Sequence, residues 1–206
     1  MKALNLFVLV CAFTLMALPL RAGSLSPCGS VAGNLVTNCG FETGNFTGWT
    51  GSSAGTFVTS SYGYVGPNSG PNSGNYYTAM GPEGSDGTLS QTLSTGVGTG
   101  YTFAFYLASV GDDPSDFSAY WDGTQLLSLT DPNSNSDGAY ALYTYSVTGT
   151  GMDTIQFDFR DDPSYMALDD ISVSPNSQSP VPEPGTLSLF ILGLGLAFLG
   201  RQRLLA

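Results

Sequence analysis

The chain has 206 residues, 16 acidic and 5 basic side chains, a net charge of −11 and no histidine. Such a surface repels phosphate backbones, which makes nucleic acid a poor candidate partner. The missing imidazole removes the usual general base of serine and cysteine hydrolases and the commonest zinc ligand.

Residues 1–22 read as a secretory signal peptide: Lys2 supplies a positive start, residues 4–20 are almost unbroken apolar sequence, and Ala22 precedes Gly23 at a cleavage point. Cys11 would leave with that segment. Cys28 and Cys39 then remain as the only thiols of an exported protein, and a Cys28–Cys39 disulfide is expected.

Residues 23–174 form the folding unit. No window there has convincing helical periodicity, whereas alternation with period two recurs. Short strands are predicted at 56–62, 75–80, 87–93, 101–107, 117–121, 124–129, 139–147, 153–160 and 167–173. In the fourth, Tyr101, Phe103, Phe105 and Leu107 share a face; in the eighth, Ile155, Phe157 and Phe159 do. Asp122-Gly123 between two strands suits a type I′ hairpin turn. The tandem Gly66-Pro67-Asn68-Ser69 and Gly70-Pro71-Asn72-Ser73 reads as an exposed loop. Asp131-Pro132-Asn133-Ser134-Asn135-Ser136-Asp137-Gly138 has oxygen side chains at alternate positions but lacks the spacing of an EF-hand, and reads as a plain turn. About nine strands with turn signals between them point to an all-β fold, a single jelly-roll β-sandwich.

After the sandwich come a polar, proline-bearing linker at 175–180 and an unusual end at 181–206. Residues 187–200 are an apolar run of fourteen, about 21 Å long as a helix at 1.5 Å per residue, against the roughly 20 residues that a 30 Å hydrocarbon core asks for. Arg201 and Arg203 follow it as a positive flank. Physics alone gives a marginal stop-transfer segment with the preceding domain outside.

The order Pro182-Glu183-Pro184, apolar helix, then Arg201 and Arg203 resembles the PEP-CTERM sorting signal. That resemblance implies a Gram-negative host that makes extracellular polysaccharide. It also implies export through the inner membrane, transient insertion of the C-terminal helix, and processing by an exosortase near Pro-Glu-Pro, leaving the protein at the cell surface or outside.

Near the start, Asn34-Leu35-Val36-Thr37-Asn38-Cys39-Gly40-Phe41-Glu42 runs into Phe46-Thr47-Gly48-Trp49, and Asp169-Asp170-Ile171-Ser172-Val173 closes the domain. Both ends resemble galactose-binding-like jelly rolls, including many carbohydrate-binding modules. The resemblance implies a structural Ca²⁺ held by Glu42 and Asp169. Strand parity places Asp169 with Ile171 and Val173 toward the interior, where an unpaired carboxylate is costly and a cation would remove the cost. For sugar stacking the expected rings are Trp121, Tyr76 and Tyr77, while Trp49 is expected in the core.

The expected function is that of a non-enzymatic surface or matrix protein associated with extracellular polysaccharide. A purely structural or protein-binding coat is the alternative. A glycoside hydrolase built on Asp112, Asp113, Asp116, Asp161 or Asp162 is a further one, since that chemistry needs only paired carboxylates.

Overall fold

A computed structural model describes residues 27–176, apart from 52, 67–68 and 134–137. The predicted signal segment 1–22 and the sorting segment 181–206, with its apolar run 187–200, lie outside the described residues. Among the described residues no helix is long and apolar enough to cross a membrane.

One short helix, α1 (Pro27–Ser30), precedes ten strands: β1 (Thr50–Gly51), β2 (Thr56–Thr59), β3 (Tyr77–Met80), β4 (Gly87–Ser94), β5 (Gly100–Ala108), β6 (Ser115–Trp121), β7 (Thr124–Thr130), β8 (Ala141–Thr148), β9 (Met152–Asp161) and β10 (Met166–Pro175). They form two five-stranded antiparallel sheets, in the orders β1-β4-β9-β6-β7 and β2-β3-β10-β5-β8. The nine predicted strands are all present. The two-residue β1 was not predicted, being too short to show any alternation. β2 stops at Thr59, because the chain there leaves the sheet to cross its outer surface.

The alternating residues meet between the sheets as expected. Phe103, Phe105 and Leu107 of β5 face Phe117 of β6 and Ile155, Phe157 and Phe159 of β9, each 0–2% exposed. Asp122 and Gly123 both have positive φ, 47° and 72°, so the β6–β7 turn is of the type I′ class expected for Asp-Gly.

The Cys28–Cys39 disulfide is present, with Cα atoms 6.1 Å apart. It closes a short loop, and chain entropy alone assigns such a loop about 3 kcal/mol. The segment it pins is tied to the last strand: Leu35 N donates to Val173 O at 2.9 Å, and Ile171 N donates to Cys39 O at 2.9 Å. Asn34 Oδ1 accepts from Val173 N at 2.9 Å. Phe41, fully buried, packs against Trp49 with ring centroids 5.7 Å apart. The opening motif is therefore a clasp that joins the start of the domain to its last strand.

A bulge in β10 corrects the expected position of Asp169. Between Asp169 and Ser172 the pairing with β5 shifts register, and Asp170 takes φ 51°. Asp169 is paired with Tyr106, which lies on the opposite face of β5 from Phe105 and Leu107, so its carboxylate belongs to the outer face of the second sheet while Ile171 and Val173 stay inside. Asp169 is nevertheless 0% exposed.

What buries it is the β2–β3 connection, whose described residues 60–66 and 69–76 lie as a strap across that outer face. Beneath it are Tyr77, Ala79, Ala108 and Ala167, a small apolar layer closed by Val65. The alanines let the strap lie close. Contrary to the expectation of an exposed loop, Ser69 is 2% exposed; its hydroxyl accepts from Val65 N and donates to Gly66 O. Tyr77 Oη donates to Ser61 O at 2.8 Å and Tyr140 Oη to Gly70 O at 2.9 Å, which fastens both halves of the strap.

Candidate functional site

The expected metal ligands Glu42 and Asp169 do come to one place, the far end of the strap. Asp169 Oδ2 accepts from Asn72 N at 2.9 Å and Ser73 N at 3.3 Å, and its Oδ1 accepts from Asp170 N at 2.7 Å. Glu42 accepts from Asn75 N through both oxygens at 3.0 Å and from Tyr76 N at 3.1 Å. Asp170 completes the arrangement, receiving Asn72 Nδ2 at 2.7 Å and Ser73 Oγ at 2.9 Å. The backbone N–H groups of Asn72, Ser73, Asn75 and Tyr76 all point at the Asp169 and Glu42 carboxylates. These donors form an amide cradle around the two carboxylates. Burial, and then the neighbouring Asp170, push the Asp169 carboxyl up to about 8. The second copy of the Gly-Pro-Asn-Ser repeat thus supplies the donors, a role that neither its composition nor its spacing could reveal.

The expected stacking rings are placed differently from the expectation. Trp121 is 6% exposed, with its indole N–H donating to Thr148 O, and Tyr77 is 0% exposed under the strap. Neither presents a face to solvent, which removes both as stacking surfaces. Tyr76 is half-buried, with its ring edge about 3.4 Å from the position of a Cβ on Gly44.

A different aromatic surface stands at the edge of the second sheet. Phe57 of β2, Tyr64 of the strap and Tyr165 between β9 and β10 form a closed trio of T-shaped contacts, with centroid distances of 5.1, 5.5 and 5.4 Å. Tyr64 is 37% exposed, and Tyr62 beside it on the strap is 72% exposed. Tyr165 also lines a cavity of about 250 Å³ with Ala54, Gly55, Gly81 and Glu83. The two glycines are required there. A Cβ on Gly81 would meet Tyr165 Cδ1 at 2.6 Å, and one on Gly55, at φ 81°, would meet Gly81 O at 2.3 Å. Tyr62 and Tyr64 were visible in the sequence among eleven tyrosines, but nothing in their spacing separated them from rings packed across strands.

Of the aspartates named for hydrolysis, Asp116 lies on β6 and Asp161 ends β9, while Asp112, Asp113 and Asp162 lie in the adjoining loops. Asp162 is bound to Arg160, the guanidinium and the carboxylate meeting directly, and it also accepts from Gly84 N at 3.1 Å. The Arg160 hydrogen bonds hold its carboxyl below the usual carboxylate range. Asp116 projects from β6 on the face opposite Phe117 and is raised by burial and then by Asp86. Asp113 is exposed, while Asp161 is buried to 1% exposure.

No curated protein matches the chain. Among solved structures, the carbohydrate-binding module TmCBM61, determined with β-1,4-galactotriose, is 17% identical; the match covers 69% of this chain and 99% of that one at a TM-score of 0.51. The enzymatically active domain of tailspike protein 4 from bacteriophage CBA120 is 15% identical, with 69% of this chain and 21% of that one covered at 0.50. The Stig cyclase Fisc from Fischerella sp. TAU is 17% identical, with 69% and 96% covered at 0.50. At such identities the likeness is one of fold. Residues 180–203 match the PEP-CTERM protein-sorting motif. The chain is an exported protein in which a jelly-roll β-sandwich, similar in fold to a carbohydrate-binding module, precedes a PEP-CTERM sorting motif.

Proposed function

We propose that this is a non-enzymatic cell-surface or matrix protein of a Gram-negative bacterium, and that its sandwich holds extracellular polysaccharide on the Phe57–Tyr64–Tyr165 surface. The observation that carries the reading is the trio itself: three rings locked edge to face, with Tyr64 and Tyr62 open to solvent beside a cavity. Rings held rigid by one another lose little freedom on binding, and their faces suit the apolar C–H surface of a sugar. The chain's net charge of −11 and Glu83 at the cavity favour neutral over anionic polymers. The sorting motif supports delivery through the inner membrane, with the segment 187–200 inserted transiently and an exosortase acting near Pro182-Glu183-Pro184.

Affinity electrophoresis of the protein through gels containing neutral or acidic polysaccharides tests the assignment. Retardation is expected in at least one neutral polymer. Tyr64→Ala and Tyr165→Ala should each weaken it by about tenfold, the loss expected for an aromatic anchor. Equal mobility of wild type in every gel would reject polysaccharide binding in favour of a structural coat, and retardation unchanged in both variants would reject the surface.

A further inference from the structure

The inward face of β9 carries an aspartate at each end, Asp153 and Asp161, on either side of Ile155, Phe157 and Phe159. The two are treated in opposite ways. Asp153 is fully buried but richly served: Thr150 N donates at 2.9 Å, Thr150 Oγ1 at 2.8 Å, and Thr95 Oγ1 bonds it as well. Asp161, 1% exposed, has no hydrogen-bond partner for either carboxylate oxygen. An ionised carboxylate so placed is one of the most costly arrangements a fold can contain.

The surroundings supply oxygen and negative charge. Asp161 is paired with Ser115 at the start of β6; Ser115 Oγ donates to Asp112 O at 2.6 Å, and Ser115 N donates to Asp131 Oδ1 at 3.0 Å. Asp161 N donates to Pro82 O and Asp162 N to Pro114 O, so the loops carrying Pro82 and Pro114 both meet the end of β9. Asp112 and Asp162 both act on it as like charges, after burial the next causes that push its carboxyl up to about 7. Arg160, the only basic residue among those described, lies on the other face of β9 and is held by Asp162. A buried water would satisfy lone pairs but leave the charge. With no histidine in the chain and both described cysteines in a disulfide, the ligands available are all oxygens, which select a hard cation, and irregular loops suit the loose geometry of Ca²⁺.

We propose that the Asp161 and Asp112 carboxylates hold a Ca²⁺ ion at this end of the sandwich, with oxygens of the 109–114 loop completing the site. It is separate from the Glu42–Asp169 cradle, whose carboxylates accept from backbone amides of the strap.

Calorimetric titration of the full chain with CaCl₂ at about pH 8, after removal of metal with EDTA, reads it directly. Saturable binding is expected. Asp161→Asn and Asp112→Asn should each cost at least about tenfold in affinity, the range that even indirect changes around a metal produce. Asp113→Asn and Glu42→Gln should leave it unchanged. The melting temperature of Asp161→Asn in EDTA should be at or above that of wild type, since a buried charge is removed, so lost binding there would not be lost folding. Absence of heat with Ca²⁺, or binding that survives both Asp161→Asn and Asp112→Asn, overturns the site. Binding that disappears in Glu42→Gln while Asp161→Asn keeps it overturns it equally.

Discussion

Replacing Phe157 with alanine is expected to lower the unfolding free energy by about 3–5 kcal/mol, the range for deleting a fully buried aromatic ring. Phe157 sits on β9, the middle strand of the first sheet, and its ring meets Trp49, Phe103, Phe105 and Phe117 at centroid distances of 6.3, 5.9, 5.0 and 5.7 Å. Those partners come from both sheets and from the N-terminal clasp, so no single neighbour can move in to fill the space. Phe46, half-buried at the margin of the core and packed edge to face with Phe41, is the natural comparison and should cost much less. Urea unfolding followed by tryptophan fluorescence checks the pair, since Trp49 and Trp121 are both in the core. A loss under about 1 kcal/mol for Phe157→Ala would mean that the two sheets do not share the core described here.

The second large effect is on pH dependence. Asp169 and Asp161 have folded carboxyls raised from 3.8 to about 8 and about 7, each by burial first. A raised folded value means that the native state keeps a proton the unfolded chain has already lost. The stabilisation is therefore complete below the unfolded value, and it drains away as pH rises from about 4 through about 8. Asp162, held below the ordinary value by Arg160, acts oppositely: its contribution is present above 3.8 and is lost as pH falls further. Stability in EDTA should accordingly be greatest at mildly acidic pH and fall by several kcal/mol toward about pH 8, each of the two buried carboxyls contributing a slope of roughly 1.4 kcal/mol per pH unit between its unfolded and folded values. Asp169→Asn and Asp161→Asn should each flatten that decline. A melting temperature that rises between about pH 5 and pH 8 would contradict both assignments.

Much of the sandwich was legible because strands with one buried face write their period into the chain. β5 and β9 alternate so cleanly that Phe103, Phe105, Phe157 and Phe159 could be placed inward from sequence, and the Asp-Gly turn followed from the conformations those residues tolerate. The opening Phe41-Glu42 and closing Asp169-Asp170 motifs pointed to a jelly roll and to a joint between the start of the domain and its last strand. What failed was whatever depended on a single extra residue or on distant partners. One bulge residue, Asp170, reversed the face of Asp169, and period-two reasoning has no means of detecting it. The strap was read as an exposed loop because its composition is that of a loop, whereas its anchors, Asn72 on Asp169 and Tyr140 on Gly70, join residues far apart in sequence. Burial of Tyr77 followed from the same strap. The contrast between Asp153 and Asp161 was half legible: their inward parity could be counted, but whether threonines or nothing met them was decided by loops.

Intact mass of the protein recovered from outside its host cells decides whether a disulfide-closed sandwich is carried out of the cell by two removable ends. The expected species begins near Gly23, ends near Pro182-Glu183-Pro184 and lacks the two thiol hydrogens of Cys28 and Cys39. A full-length chain found only in the cytosol, with both thiols free, would refute that.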